Sequence, residues 1–111
     1  MEEKNLYMVC EKVNEAAFAS APEGYHIRSC RPDELEIWMD FPFDDPDEAM
    51  EYRPFMEDFF KSTYGHNKQL FYDKTLFICD HEDQPVGTCG IWKAYGAFYS
   101  IHWFKVLKGY E

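Results

Sequence analysis

Apolar residues recur along this chain with two different periods. The run Tyr25-His26-Ile27-Arg28-Ser29-Cys30 alternates apolar and polar positions, the two-residue period of a half-buried strand. Pro32-Asp33-Glu34 follows, a proline and two acids of the kind a helix accepts in its first turn, and Leu35, Trp38 and Met39 continue at helical spacing. Asp45-Pro46-Asp47-Glu48 reads as an N-cap, a first-position proline and the glutamate of a capping box. Tyr52, Phe55, Met56, Phe59 and Phe60 then share one helical face as far as Gly65, a natural C-cap. Pro54 lacks the N–H this helix needs, which predicts a kink or a restart.

From Thr75 the period returns to two. Thr75-Leu76-Phe77-Ile78-Cys79 is a compact strand, Asp80-His81-Glu82-Asp83-Gln84 a polar turn, and Pro85 to Lys93 a returning strand. Tyr95-Gly96 marks another turn. Ala97 to Leu107 then forms a long strand, with Ser100, His102, Phe104 and Val106 on one face and Ile101, Trp103, Lys105 and Leu107 on the other. The predicted class is α+β: strand, two helices, then a three-stranded antiparallel meander. Residues 1–24, with the apolar run Leu6-Tyr7-Met8-Val9-Cys10 and the turn Pro22-Glu23-Gly24, form an arm that can add an edge strand or wrap a neighbour. Residues 25–111 form the folded unit.

Composition agrees with one globular domain. The chain has 111 residues, of which 46% are hydrophobic and 19% aromatic, too many large apolar side chains for a disordered segment. Acidic residues outnumber basic ones 21 to 11, a formal charge of -10, which removes long-range attraction to nucleic acid or anionic membrane. The same field favours a cationic substrate such as an amine, although surface acidity also serves solubility. No stretch approaches the roughly 20 apolar residues that span a bilayer, and no export signal is read at the N-terminus, so the expected location is cytoplasmic. Cys10, Cys30, Cys79 and Cys89 stand singly, which predicts reduced and mostly buried thiols. Cys79-Asp80-His81 with Cys89 matches no zinc spacing and reads as core residues of neighbouring strands, so no metal is expected.

The order of elements resembles the N-terminal half of the GNAT-superfamily N-acetyltransferases. The resemblance is carried by Leu76-Phe77-Ile78-Cys79 with Gln84-Pro85-Val86-Gly87-Thr88-Cys89-Gly90-Ile91, and by Phe104-Lys105-Val106-Leu107-Lys108-Gly109-Tyr110-Glu111. The second segment resembles the end of the family's fourth strand and the turn before its Q/R-x-x-G-x-G/A motif. Glu111 falls at the first position of that motif, and its glycines lie beyond the residues given. The resemblance implies transfer of an acetyl group from acetyl-CoA to an amine, as part of a longer protein, with this chain alone binding the cofactor weakly or not at all. The alternative is a non-enzymatic interaction module that keeps half of the fold.

What the resemblance implies for individual residues follows the same alignment. Backbone N–H groups of Phe104, Lys105 and Val106 would contact the acetyl and pantetheine groups. Ser100 and His102 fall where a general base projects, and His102 is the side chain suited to proton work at neutral pH, or else a plain sheet-face residue beside Trp103 and Phe104. The acceptor pocket would be lined by Phe41-Pro42-Phe43-Asp44-Asp45. Asp44 would pair with an amine and Phe41 and Phe43 would enclose its apolar part, while Asp45 also reads as an N-cap and the phenylalanines as core. Tyr64-Gly65-His66-Asn67 is a further polar cluster. An open fourth strand exposing Trp92, Trp103 or Phe104 predicts a homodimer, a swapped assembly or an edge covered by the arm.

Overall fold

A computed structural model of the chain describes residues 8–17, 19–94 and 98–111. The expected turn at Tyr95-Gly96 and the first two residues of the apolar run at residues 6–10 lie outside them. Between Met8 and Gly24 the described residues form no strand, only a short 3-10 turn at Glu15–Ala17, with Met8, Val9 and Val13 exposed.

The elements are β1 (His26–Ser29), α1 (Leu35–Asp40), α2 (Pro46–Tyr64), α3 (Lys68–Lys74), β2 (Thr75–Cys79), β3 (Pro85–Ala94) and β4 (Phe98–Val106). The strands form one antiparallel sheet in the order β1-β2-β3-β4. The helices supply the opposite wall of the core, in which Trp38, Met39, Phe41, Met56, Phe60, Tyr64 and Phe71 join Cys30, Phe77 and Cys79 of the sheet side. Trp38 and Phe60 both meet Phe71 edge-to-face, with ring centroids 4.9 and 5.0 Å apart. Each such buried side chain contributes about 1.5–3 kcal/mol of apolar transfer.

Helix α2 departs from the sequence expectation in two ways. Asp45 caps it, accepting from the Asp47 N–H at 2.9 Å, but no restart occurs at Pro54. Pro54 and Met50, whose carbonyl that N–H would have met, are both exposed, so solvent can take the free carbonyl. The buried stripe is Ala49, Met56, Phe60 and Tyr64, while Tyr52 and Phe55 stay exposed. The rotation brings half-buried Arg53 over α1, where its guanidinium donates to Asp40 at 2.6 Å. Helix α3 was not foreseen; Asn67 caps it by accepting from the Leu70 N–H at 3.3 Å.

Strand β1 is half-buried with the reverse sense from the usual one. Ile27 pairs with Ile78 on the sheet face away from the helices and is 60% exposed, whereas Arg28 pairs with buried Phe77 and points inward. That outer face also carries exposed Ile91, Ile101 and Phe104. Gly87 lies on it too: a Cβ there would come within 2.7 Å of Ile78 Cγ2, so the close approach requires glycine.

Strand β4 does not keep one alternation from end to end. Gly90 pairs with His102 but Thr88 pairs with Lys105, so Cys89 stands opposite both Trp103 and Phe104. This is a β-bulge, and Trp103 sits in it with φ 55. The extra residue shifts the phase of everything that follows. Ser100 and His102 face the helix side before the bulge, Trp103, Lys105 and Leu107 after it, while Ile101, Phe104 and Val106 share the outer face. The expected grouping of Phe104 and Val106 with His102 is thereby corrected. Trp92 and Trp103 pack against the core rather than lying open, and Phe104 is 73% exposed.

Candidate functional site

A non-glycine residue at positive φ costs roughly 1–2 kcal/mol, so the backbone at Trp103 has to be held there. Its indole is wedged edge-to-face against Trp38 of α1, centroids 5.7 Å apart, and against Phe59 of α2, 5.3 Å apart. The helices thus fix the bulge, and the bulge leaves a gap in the β3–β4 ladder. Beside it opens a cleft of about 220 Å³ lined by Trp38, Phe41, Pro42, Thr88, Trp103, Phe104 and Lys105. The Thr88 hydroxyl donates its proton to the Leu76 carbonyl at 3.1 Å. Trp103 Nε1 is buried, and among the described residues no group accepts from it.

The residues proposed from sequence are divided by this geometry. Phe41, Phe104 and Lys105 meet at the cleft. Phe41 is also core, 3% exposed and stacked on Phe77. Phe43 and Asp44 line a wider, shallower hollow of about 580 Å³ with Asp40, Pro46, Ala49, Met50 and Arg53, and Phe43 stacks on Tyr52. The two places are joined by one ion pair, Lys105 Nζ to Asp44 Oδ1 at 3.1 Å. Val106 lies on the outer face, and His102 lines neither hollow. The His102 ring meets Trp103 edge-to-face at 5.4 Å, and the desolvation of its packed side holds its pKa below the ordinary histidine value. Its uncharged form is thereby favoured at neutral pH.

Trp38, Thr88 and Trp103 were not among the expected site residues, whereas Pro42 was expected in the acceptor lining and does line the cleft. One signal was available: His102-Trp103-Phe104 is an unbroken run of large rings in a strand, and strict alternation cannot place both His102 and Trp103 inward.

A second cluster lies at the other end of the sheet. Arg28 makes a two-pronged contact with Glu34, at 2.6 and 2.7 Å, and donates from Nε to Asp83 at 2.9 Å. Asp83 also accepts from His26 at 2.6 Å and from Arg31 at 2.8 Å. The Arg28 contact above all holds both carboxyls below the usual carboxylate range. His26, Cys79 and Asp83 place their ligand atoms within 4.8 Å of one another, a spacing a metal ion could use. The chemistry disfavours one: Asp83 is already met by two guanidinium groups, and Cys79 is fully buried with its thiol pKa raised by that burial. The cluster reads as a clamp tying β1 to the β2–β3 turn. Cys30 is likewise buried and inert, its pKa pushed up to about 12 by desolvation, while Cys10 is exposed.

Among the described residues no helix is long and apolar enough to cross a membrane. No family model matches the chain, and neither the curated proteins nor the solved structures contain a match to it.

Proposed function

We propose that these residues form the acyl-binding and acceptor side of a GNAT-type N-acetyltransferase. The observation that carries the reading is the bulge at Trp103 and Phe104 opposite Cys89. It frees backbone groups in β4 next to a cleft, where the resemblance expects the backbone of Phe104, Lys105 and Val106 to hold a thioester. The cleft is smaller than the roughly 300–1,000 Å³ of a pocket for a drug-sized molecule, so it suits the acyl end of a donor such as acetyl-CoA rather than the whole. The glycines of the chain are scattered through turns, caps and strands, and no glycine-rich loop for the pyrophosphate end lies among them.

In this reading a bound acetyl thioester supplies the electrophilic carbonyl. Freed β4 N–H groups orient its oxygen and stabilise charge developing there. His102, whose neutral form is favoured by its desolvation, takes the proton that the amine sheds; as the C–N bond forms the C–S bond breaks, and the departing thiolate receives that proton. Pro42, Phe43 and Asp44, in the connection between α1 and α2, border the approach of the amine.

The test is an acetyl-CoA assay on the protein that carries these residues, with a panel of amines and detection of released thiol. Amine-dependent thiol release that falls in His102→Ala is expected. No release with any amine class would count against the reading.

A second reading, a module that associates with another copy of itself, draws on the outer sheet face, where Ile27, Ile101 and Phe104 are each at least 60% exposed. Sedimentation decides it: a dimer weakened by Ile101→Lys supports association through that face, and a monomer at all concentrations removes it.

A further inference from the structure

The overall charge of -10 favours a cationic partner, but the cleft beside the bulge has the opposite local character. Its apolar walls include Trp38, Phe41 and Pro42, and Lys105 is the one charged side chain among its described lining residues. Trp103 and Lys105, each carrying polar donors, both line it. Lys105 is 30% exposed and gives one of its three N–H bonds to Asp44, itself 53% exposed and able to turn to solvent. Trp103 Nε1–H is buried with no acceptor among the described residues, and an unmet buried donor costs roughly 1–3 kcal/mol, a penalty that a ligand oxygen would remove.

We propose that this cleft binds a carboxylate, one oxygen accepting from the Trp103 indole N–H and the other paired with the Lys105 ammonium. The apolar walls take the short aliphatic part next to it. The assignment rests on the acyltransferase reading only in calling this carboxylate part of the amine acceptor. On that reading the acceptor is an amine that also carries a carboxylate, as amino acids do, and not a polyamine. The cation that recognises it is the one Asp44 now holds, so Asp44 is a competing internal carboxylate rather than the group that receives an amine.

The test needs no acyl donor. A ¹⁵N-labelled sample is titrated with propionate, propionamide and propylamine while the three indole N–H signals are followed, with Trp103 assigned from Trp103→Phe. Saturable movement of the Trp103 signal with propionate, absent with the amide and the amine, is expected. Lys105→Met lowers the propionate affinity about ten-fold or more, the loss of one charge-assisted hydrogen bond, and Lys105→Arg restores most of it. An indole signal that ignores propionate, responds equally to propionamide, or binds as well without Lys105 overturns the proposal. If propionate fails while an acetyl thioester still perturbs Phe104 to Val106, this inference falls and the acyltransferase reading stands. If propionate binds while the thioester does not, the carboxylate site stands without it.

Discussion

Trp103 presses its indole edge-to-face against Trp38, centroids 5.7 Å apart and planes at 71°, while its own backbone is held at φ 55. A helix residue thereby fixes the conformation of a strand residue, and the irregularity so fixed is where the cleft opens.

This predicts an inversion of the usual order of substitutions. In a regular strand glycine is less stable than alanine by roughly 0.5–1 kcal/mol. At position 103 both Trp103→Gly and Trp103→Ala lose the indole, but only alanine keeps the positive-φ cost, so Trp103→Gly should be the more stable by about 1 kcal/mol. Urea unfolding of the two variants measures the difference, and the ordinary order would mean that the bulge is not held in this form.

The Arg28 clamp makes stability depend on acid. Glu34 and Asp83 have folded pKa values below their unfolded ones, with the Arg28 contact as the first cause in each. The folded state therefore binds fewer protons, and the contribution is complete above the unfolded values of roughly 4 and is lost as pH falls through the folded ones. Thermal melts from pH 6 down to pH 2 should show a steep acid loss. Arg28→Met should lower stability at neutral pH, because two carboxylates lose their counter-charge, and should flatten that acid dependence.

Much of this architecture is legible in the residues. Asp45-Pro46 marks the start of α2, and the alternation from Thr75 marks β2. What escapes has physical causes. Helix α3 is seven residues long and begins three residues after Gly65, so its signal is hidden behind a C-cap. Strand β1 faces Arg28 inward because Glu34 and Asp83, remote in sequence or in another element, neutralise it. The bulge depends on a backbone angle that no tryptophan advertises, and a single added residue moves Phe104 and Val106 to the face away from the cleft helices. Expectations about which site residues share a side were the ones most exposed to that shift.

His102 offers a titration. Its folded pKa lies below the ordinary 6.5 because of desolvation, so the folded state disfavours the imidazolium. Its share of stability is present above the unfolded pKa and is lost as pH falls through that value toward the folded one. Proton NMR of the ring should give a midpoint below 6.5 that moves up in Trp103→Gly, where the packed side becomes hydrated.

The outer sheet face should bind an apolar reporter dye in the native state, since Ile27, Ile101 and Phe104 are open to solvent there. Ile101→Lys with Phe104→Lys should remove most of the fluorescence at unchanged far-UV circular dichroism.

The acyl-binding role of β4 is tested most directly by a ¹⁵N–¹H titration with a short acetyl thioester that lacks the nucleotide, S-acetyl-N-acetylcysteamine. Saturable shifts at the Trp103, Phe104, Lys105 and Val106 amides, weakened when Trp103 is replaced by glycine, are the predicted result. Shifts that are absent from these four amides, or spread evenly over the sheet, would contradict it.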